Sequence, residues 1–346
     1  MAGWPAIGRI WCRRPGGNLA EVWRYARELA DSCREYTGAL MDHLDAESVA
    51  RDVEALRIAL GDNEISLYGR SYGTMPEQSY LELFPERVRG MILDSVDDHS
   101  LAGDEFLASE ARAAEDNFAE FAAWCGRDAG CALHGKDIPA VYRSLYERAE
   151  RGELRSGDKA LGPLELSAAT TQRLYKPEWS TLAGELKILA EQPAAAPGPA
   201  VRPQRSGTPV EMPEIIFCSD WEFEIGDQAE WVRLWGEQNR NAPTIGTHFA
   251  WGAGSICSGW PVRAANPQHL PRVAGAPPVL ILNSRHDPAT PHEWAVGVAA
   301  NTPGTTLVTY EGWGHGIYNR NGCTTAIADR YLIDRTVPVA NTFCPV

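Results

Sequence analysis

The stretch "EISLYGRSYGTMPEQSYLELF" (64–84) decides the fold, because an apolar run leads through a glycine turn into a helical pattern. Its first part, "EISLYG" (64–69), predicts a short buried strand, and residues 71–84 predict a helix that stops before Pro85. A second strand is predicted in "RGMILDSV" (89–96). A strand, a tight turn, a helix and a further strand form a βαβ unit, which requires a parallel sheet covered on both faces. The sequence therefore predicts an α/β protein.

Within this stretch, Gly69-Arg70-Ser71-Tyr72-Gly73 matches the G-x-S-x-G nucleophile elbow, in which the serine occupies a sharp turn between a strand and a helix. Glycine is needed at both ends because larger side chains would collide with the neighbouring strand and helix. Such a turn lifts the serine hydroxyl clear of the sheet and points the next backbone N–H at a developing oxyanion. We therefore predict Ser71 as a nucleophile and Tyr72 as an oxyanion donor. The alternative is a small residue in an ordinary turn.

A serine hydroxyl attacks poorly without a base, and the base needs a supporting carboxylate. The carboxylate is expected at the carboxyl end of a later strand, and Asp287 follows the apolar run "PPVLILNS" (277–284). A helix is predicted over 290–302 with Thr290 as its N-cap, so Asp287 falls in the loop before it. Asp94 also ends a strand, but an aspartate directly after the nucleophile unit more often caps a turn. Asp287 is therefore the predicted acid of the triad.

The predicted base is His315, which lies in "EGWGHG" (311–316) after the last predicted strand, "TTLVTY" (305–310). Glycines on both sides let this loop bend the imidazole ring back over the sheet edge. The resulting order Ser71, Asp287, His315 is the order of the triad in α/β-hydrolases. A buried, hydrogen-bonded loop histidine without a catalytic role is the alternative.

The rest of the chain adds helices to this framework. Residues 1–97 and 271–346 are predicted to form the N-terminal and C-terminal parts of one α/β core, and residues 98–270 a helical insertion. A Pro-rich connection, residues 192–213, has few large apolar residues and is expected to be mobile. Residues 215–265 are rich in Trp and Gly and give no clear pattern. Helices are predicted over 19–35, 46–60, 104–124, 138–151, 164–174, 179–191 and 323–334.

The 346 residues carry a formal net charge of −14, and the pI is about 5.1. This charge argues against nucleic acid or an anionic membrane as a partner, since a basic patch would have to form against the field of the whole protein. No apolar stretch reaches transmembrane length, and the start, "MAGWPAIGRIWCRR" (1–14), lacks the pattern of a signal peptide. His286 and His292 flank Asp287, but they share no helical face and no further ligand completes a set. No metal or cofactor is predicted.

The eight cysteines are even in number and include no C-x-x-C pair. An even set without a zinc spacing suggests disulfides in an exported protein, although the sequence alone leaves every pairing open. Buried free thiols in a cytosolic enzyme are the alternative.

Several motifs occur together and in order. The elbow, "WCGRDAGCALHG" (124–135), "FCSDW" (217–221) and "HDPATPHEWA" (286–295), followed by "GWGHG" (312–316) and two cysteines, resemble the secreted tripeptidyl aminopeptidase group of α/β-hydrolases. The resemblance runs from about residue 25 to the end of the chain. It implies an α/β-hydrolase fold with a mostly parallel sheet, and the helical insertion would be a cap over the site. It also implies a secreted enzyme that releases tripeptides from peptides with a free N-terminus.

By the same resemblance, Ser71 would be acylated, His315 would act as general base and then as general acid, and Asp287 would orient the imidazole. The resemblance also makes three disulfides expected: Cys125–Cys131, Cys218–Cys257 and Cys323–Cys344. It carries no prediction of the oligomeric state.

Two departures from the family pattern bear on activity. Enzymes of this kind begin with further strands and a Gly/Pro-rich loop that supplies the second oxyanion donor, whereas "RPGGN" (14–18) precedes two helical patterns here. The N-terminal strands are therefore expected to be missing, and loss of one oxyanion donor lowers turnover by about 100- to 1,000-fold. In addition, "TMPEQ" (74–78) replaces the smaller residues expected after the elbow.

An exopeptidase also needs a carboxylate that meets the substrate ammonium, because a desolvated charge pair both binds the substrate and measures distance from its N-terminus. The candidates are Asp220, Glu222 and Glu224, in "SDWEFE" (219–224). Two alternatives to an exopeptidase stay open at this point. One is an esterase or lipase-like hydrolase with the same triad, and the other is a non-catalytic remnant that keeps the triad without a complete oxyanion hole.

Overall fold

The computed structural model describes residues 18–157, 159–193, 214–246 and 249–346. "RPGGN", apart from Asn18, and residues 194–213 of the Pro-rich connection lie outside the described residues, as does Cys12. The described strands are β1 Ile65–Ser71, β2 Val88–Val96, β3 Arg155–Ser156, β4 Lys159–Ala160, β5 Val279–His286, β6 Thr305–Trp313 and β7 Thr342–Cys344. The described helices are α1 Leu19–Thr37, α2 Ala46–Leu60, α3 Thr74–Leu83, α4 Gly103–Arg127, α5 Ile138–Glu150, α6 Pro163–Tyr175, α7 Trp179–Glu191, α8 Glu214–Asp220, α9 Gln228–Asn241, α10 Phe249–Ser258, α11 His292–Asn301 and α12 Gly322–Asp334.

A five-stranded sheet in the order β1-β2-β5-β6-β7 joins both ends of the described chain. Each neighbouring pair is parallel, so the carboxyl ends of all five strands lie at one edge. The central strands β2 and β5 are buried along most of their length, as expected when helices cover both faces of a parallel sheet. The predicted α/β fold with a parallel sheet is confirmed.

The βαβ unit runs from β1 through α3 to β2, but α3 begins at Thr74 rather than at the predicted position 71. Tyr72 and Gly73 form a turn between the strand and the helix, which the elbow geometry requires. The early Pro76 lies in the first turn of α3, where no intrahelical N–H bond is lost.

Side chains of the sheet alternate between two cores, one on each face. Met91 and Leu93 of β2 pack on one face with residues of α3 and α11, such as Leu81 and Val298. Ile92, between them in sequence, packs on the other face with Leu280 of β5 and with Ile327 and Tyr331 of α12.

The chain forms two compact units. The unit with the five-stranded sheet comprises Asp31–Phe106, Ile216–Glu222 and Val262–Val346. The other unit is drawn from Met1–Ala30, Leu107–Ile215 and Phe223–Pro261, and the regular structure of its described residues is helical apart from the short antiparallel β3–β4 hairpin. The division of the chain into a core over 1–97 and 271–346 and an insertion over 98–270 remains a prediction.

Inside the helical unit, aromatic rings and buried acids fix the helices to one another. Phe118, Phe121 and Tyr142 pack with ring centroids 4.9–5.7 Å apart. Glu110 accepts a hydrogen bond of 2.9 Å from the backbone N–H of Ala250, near the start of α10. Because the first N–H groups of a helix have no partner in the helix itself, this carboxylate acts as a distant N-terminal cap.

Two of the three disulfides that the family resemblance implied are observed. Disulfides join Cys125 to Cys131 and Cys323 to Cys344, with Cα–Cα distances of 5.2 and 5.7 Å. Cys218 and Cys257 are also disulfide-bonded, whereas Cys33 carries a free thiol. Disulfides of this number are typical of proteins that fold in an oxidising compartment.

None of the helices in the described parts of the chain combines the length and the apolar character needed to cross a membrane.

Candidate active site

The G-x-S-x-G turn has the strand–turn–helix context that the sequence predicted. Ser71 is the last residue of β1 and has a φ of 58°, in the left-handed region that is costly for a residue with a side chain. A Cβ on Gly69 would lie 2.4 Å from the carbonyl oxygen of Gly73, so only glycine fits there. The hydroxyl of Thr74 donates a 2.7 Å hydrogen bond to the carbonyl of Ser71 and closes the turn. The sequence thus holds Ser71 in a strained conformation at the carboxyl end of its strand.

His315 and Asp287 form a buried pair at the same edge of the sheet. Nδ1 of His315 lies 3.1 Å from each carboxylate oxygen of Asp287. The side chain of Asp287 also accepts 2.9 Å hydrogen bonds from the backbone N–H groups of Ala289 and Thr290, and a third from the hydroxyl of Ser95 at 2.7 Å. The carboxylate is therefore fixed from several sides and can orient the imidazole ring.

Opposite charges set the protonation of this pair. Burial by itself lowers the pKa of His315, but the neighbouring carboxylates, above all Asp287, more than offset this and raise it above its ordinary value. Burial likewise raises the pKa of Asp287, but the charge and hydrogen bond of His315 bring it below its ordinary value. The arrangement favours an ionised Asp287 that stabilises a protonated His315, as a base that accepts a proton requires.

The loop that carries His315 bends sharply and reaches the elbow. Gly314 and Gly316, on either side of the histidine, have φ values of 100° and 77°. These are left-handed conformations that glycine adopts without steric cost. A Cβ on Gly316 would lie 2.7 Å from Cδ of Arg70, the residue before Ser71. The histidine loop therefore passes against the nucleophile elbow, although 244 positions separate Ser71 from His315 in the sequence (315 − 71).

Asp94 anchors the histidine loop. Its carboxylate, fully buried in β2, accepts hydrogen bonds from the backbone N–H groups of Ile317 and Tyr318 at 2.8 and 3.0 Å. The hydroxyl of Tyr68 donates a third at 2.9 Å. Asp94 thus binds the second and third residues after the histidine, which differs from the local turn or cap considered for it from the sequence. A charged residue within the apolar run "MILDSV" was the available signal, but the sequence does not indicate its partner.

Asp220 is occupied by protein donors. At the end of α8, its carboxylate accepts hydrogen bonds from the backbone N–H of Ala46, from the amide of Asn266 at 2.7 Å and from the hydroxyl of Tyr72. It is fully buried, and burial raises its pKa to about 6 against the effect of these donors. Because Tyr72 is the predicted oxyanion residue, Asp220 holds the side chain of that residue in place. This arrangement does not favour the predicted role of Asp220 as a ligand for the substrate ammonium.

The other two predicted ammonium ligands differ in their surroundings. Glu222 is half-buried, and its backbone N–H donates to the side chain of Gln268 at 2.9 Å. Glu224 is exposed.

A further buried carboxyl, Asp97, was not identified from the sequence. It follows Val96, which is the register partner of Ser71 in the sheet, and its backbone N–H donates to the hydroxyl of Thr74 at 3.1 Å. Its Oδ2 has no hydrogen-bond partner among the described residues. Burial raises the pKa of Asp97 to about 7, with nearby Asp287 acting in the same direction and the charge of His315 opposing it. A carboxyl with this environment is costly to ionise.

Asp97→Asn is expected to stabilise the protein more at pH 8 than at pH 5. The folded-state pKa of about 7 lies above the ordinary 3.8, so the wild type loses stability as the pH rises from about 4 to about 7. Asparagine has no carboxyl proton to lose. Over this pH interval, the free energy of unfolding of the variant is expected to rise relative to that of the wild type by on the order of 2–4 kcal/mol. Thermal melts of both proteins from pH 4 to pH 8 measure this gain. Asp52→Asn, at an exposed position of α2, is the control, and a pH-independent difference for Asp97→Asn would contradict the prediction.

The histidines on either side of Asp287, the predicted acid, make structural contacts. His292 lies at the start of α11, and its Nε2 is 2.8 Å from the hydroxyl of Thr309 in β6. The ring of His286 stacks on Trp313 at a centroid distance of 6.3 Å. Within the described ranges, no three His, Cys, Asp or Glu side chains come together in a way that would hold a metal ion.

Two family models match the chain. Residues 25–142 match the model described as "alpha/beta hydrolase fold", and residues 242–344 match the one described as "TAP-like protein". The first match contains the elbow and Asp94, and the second contains Asp287 and His315.

Similar proteins carry the names of both peptidases and esterases. "Serine protease Hip1" of Mycobacterium tuberculosis is 27% identical over 97% of this chain and 71% of its own length. "Tripeptidyl aminopeptidase" of Streptomyces lividans is 29% identical over 93% of this chain and 62% of its own length. "Carboxylesterase B" of Mycobacterium tuberculosis is 29% identical over 95% of this chain and 66% of its own length.

Proposed function

This chain is an α/β-hydrolase of the kind that includes the tripeptidyl aminopeptidases, and we propose that it is a serine exopeptidase that releases short peptides from free N-termini. The observation that carries the proposal is the buried Asp287–His315 pair, with nitrogen and oxygen 3.1 Å apart, on a loop that packs against the elbow of Ser71. Nucleophile, base and acid come from three strand ends of one sheet edge, where α/β folds bind substrates.

In the proposed reaction, Oγ of Ser71 attacks the scissile carbonyl carbon while Nε2 of His315 takes the hydroxyl proton. The resulting oxyanion accepts a hydrogen bond from the backbone N–H of Tyr72, at the amino end of α3, where the helix dipole also favours negative charge. Collapse of the tetrahedral intermediate breaks the C–N bond, and the proton on His315 passes to the leaving amine. Water then repeats the same steps on the acyl-enzyme and frees Ser71. Asp287 remains ionised throughout and holds the imidazole in the required tautomer.

An esterase is the second candidate, because the same triad hydrolyses oxygen esters and one relative is named a carboxylesterase. The two candidates differ in what they require of the substrate N-terminus. An exopeptidase depends on a free ammonium, whereas an esterase is indifferent to it. Three substrates distinguish them: a tripeptide p-nitroanilide with a free N-terminus, the same compound with an acetylated N-terminus, and a p-nitrophenyl ester.

For an exopeptidase, acetylation is expected to lower kcat/KM about 100-fold, which corresponds to the loss of one desolvated ammonium–carboxylate pair. Asp220→Asn should lower turnover of the free and the acetylated substrate alike, because the substitution disturbs the contacts that hold Tyr72 and Ala46 rather than a contact with the ammonium. Glu222→Gln is the matched comparison on the same segment, and it should raise KM for the free-amine substrate alone if Glu222 meets the ammonium.

Each outcome has a clear meaning. Equal rates on free and acetylated peptides, together with faster ester hydrolysis, would replace the exopeptidase by the esterase. An Asp220→Asn variant that loses only the free-amine substrate would return the ammonium-binding role to Asp220.

A further inference from the structure

Strand β2 contains a one-residue bulge at Ser95. Arg70 of β1 pairs with Asp94 and the next residue, Ser71, pairs with Val96, so Ser95 has no register partner in β1. Bulges of this kind bend a strand and redirect a side chain, and they are frequent beside active sites. The bulge lies at the level of the nucleophile, on the neighbouring strand.

The backbone of Ser95 is in an unfavourable conformation. Its φ is 58°, the same value as that of Ser71. A non-glycine residue is strained in the left-handed region, and glycine would remove this strain. Ser95 is also completely buried, where an unsatisfied hydroxyl would add a further cost. The presence of serine at this position therefore indicates that its hydroxyl makes contacts that offset both costs.

Those contacts join two parts of the proposed triad. The hydroxyl of Ser95 donates a 2.7 Å hydrogen bond to Oδ2 of Asp287. Oγ of Ser95 also accepts a 2.8 Å hydrogen bond from the backbone N–H of Gly316, the residue after His315. One hydroxyl supplies one donor and two acceptor sites, so a single atom can make both bonds with ordinary geometry. The acid and the loop of the base are thereby tied to the same point on β2.

We propose that Ser95 is a positioning residue for catalysis, which holds the carboxylate of Asp287 and the histidine loop in register with each other. The inference rests on the proposed roles of Asp287 and His315. Without this link, Oδ2 would lose a donor that fixes the plane of the carboxylate, and Gly316 would lose the bond that sets the height of His315 above the sheet. Asp94 would still hold the loop one residue further on, through Ile317, so the loop would remain folded but less constrained.

Ser95→Gly tests the proposal, because glycine accepts the left-handed backbone and deletes only the hydroxyl. The variant is expected to keep its Tm within a few degrees, because relief of strain compensates for the lost hydrogen bonds. The kcat on a p-nitrophenyl ester should fall about 10- to 100-fold with little change in KM, as expected when reacting groups are slightly displaced. Asn341→Gly is the matched control, since Asn341 has a φ of 58° at an exposed position.

A second measurement does not depend on hydrolysis. The hydroxyl of Ser95 withdraws negative charge from Asp287, so its removal should raise the pKa of His315 by about half a pH unit, measured by NMR titration of the imidazole. A wild-type kcat together with an unchanged histidine titration in Ser95→Gly would overturn the proposal. A lower Tm with unchanged kcat and an unchanged histidine titration would also overturn it, because that result would make Ser95 merely structural. If neither wild type nor variant hydrolyses any substrate but the histidine titration shifts, the proposed function fails while the link between Ser95 and the pair stands.

Discussion

Replacing Ser71 by alanine is expected to abolish labelling by a fluorophosphonate probe and to lower turnover by about 10⁴- to 10⁶-fold. The probe reacts with an activated serine and needs little substrate fit, so it reports the nucleophile before any substrate is known. Activation requires that His315 accept the proton of Ser71, and His315→Ala should therefore also lose the label. The measurement is in-gel fluorescence of the purified wild type and variants at equal concentration.

The control for this experiment is Ser66→Ala, on the same strand. Ser66 is exposed and accepts a hydrogen bond from Arg89 rather than lying in the elbow, so its removal should leave labelling unchanged. Labelling that persists in a folded Ser71→Ala protein would refute the assignment of the nucleophile. A folded wild type that does not label would favour the third reading of the sequence, a non-catalytic remnant with an intact triad.

The sequence predicted well those features that depend on local pattern. The bounds of α2 and α7 agree with the predicted 46–60 and 179–191, because helix-period apolar residues and the terminal Gly61 determine them locally. The elbow could also be predicted from the sequence, because the closest steric contacts that require its glycines lie within the same five residues.

A helix boundary near the site was predicted less well. Thr290 was expected to cap α11, but the helix begins at His292 with Pro291 at the N-cap position. The hydroxyl and N–H of Thr290 are directed to Asp287 instead, at 3.1 and 2.9 Å. The tertiary demand of the carboxylate overrides the local capping preference, as is common at functional sites.

Within residues 215–265, α10 gave no pattern because its described residues 250–256 are buried on all sides, whereas α9 buries one face. Trp231 of α9 and Trp251 of α10 are almost completely buried and stack at a centroid distance of 5.7 Å. A helix that is apolar on several faces has no clear amphipathic period to read. The roles of Asp94 and Ser95 were hidden for a different reason. Their partners in the histidine loop, Gly316 and Ile317, lie more than 220 residues away in the sequence, and only the fold brings β2 and this loop together.

The second large effect is expected for Asp287→Asn, and this variant also distinguishes Asp287 from Asp94 as the catalytic acid. Asp287→Asn should lower kcat by about 10⁴-fold with a small change in Tm, because the amide favours the wrong histidine tautomer while its oxygen still accepts the N–H groups of Ala289 and Thr290. Ser95 can keep its bond to Gly316 in this variant. The measurement is kcat on an activated ester together with a thermal melt.

Asp94→Asn should instead lower stability more than activity. Its carboxylate accepts hydrogen bonds from Tyr68, Ile317 and Tyr318, so an amide there would set an NH₂ group against the backbone N–H groups of Ile317 or Tyr318. An unsatisfied group at this fully buried position should destabilise the protein by about 1–3 kcal/mol and lower kcat only as far as the histidine loop shifts. If Asp94 were the acid of the triad, its asparagine variant would lose about four orders of magnitude in kcat, far more than its loss of stability explains, whereas Asp287→Asn would remain active. The two variants measured side by side therefore assign the acid by the ratio of lost activity to lost stability, which neither variant provides alone.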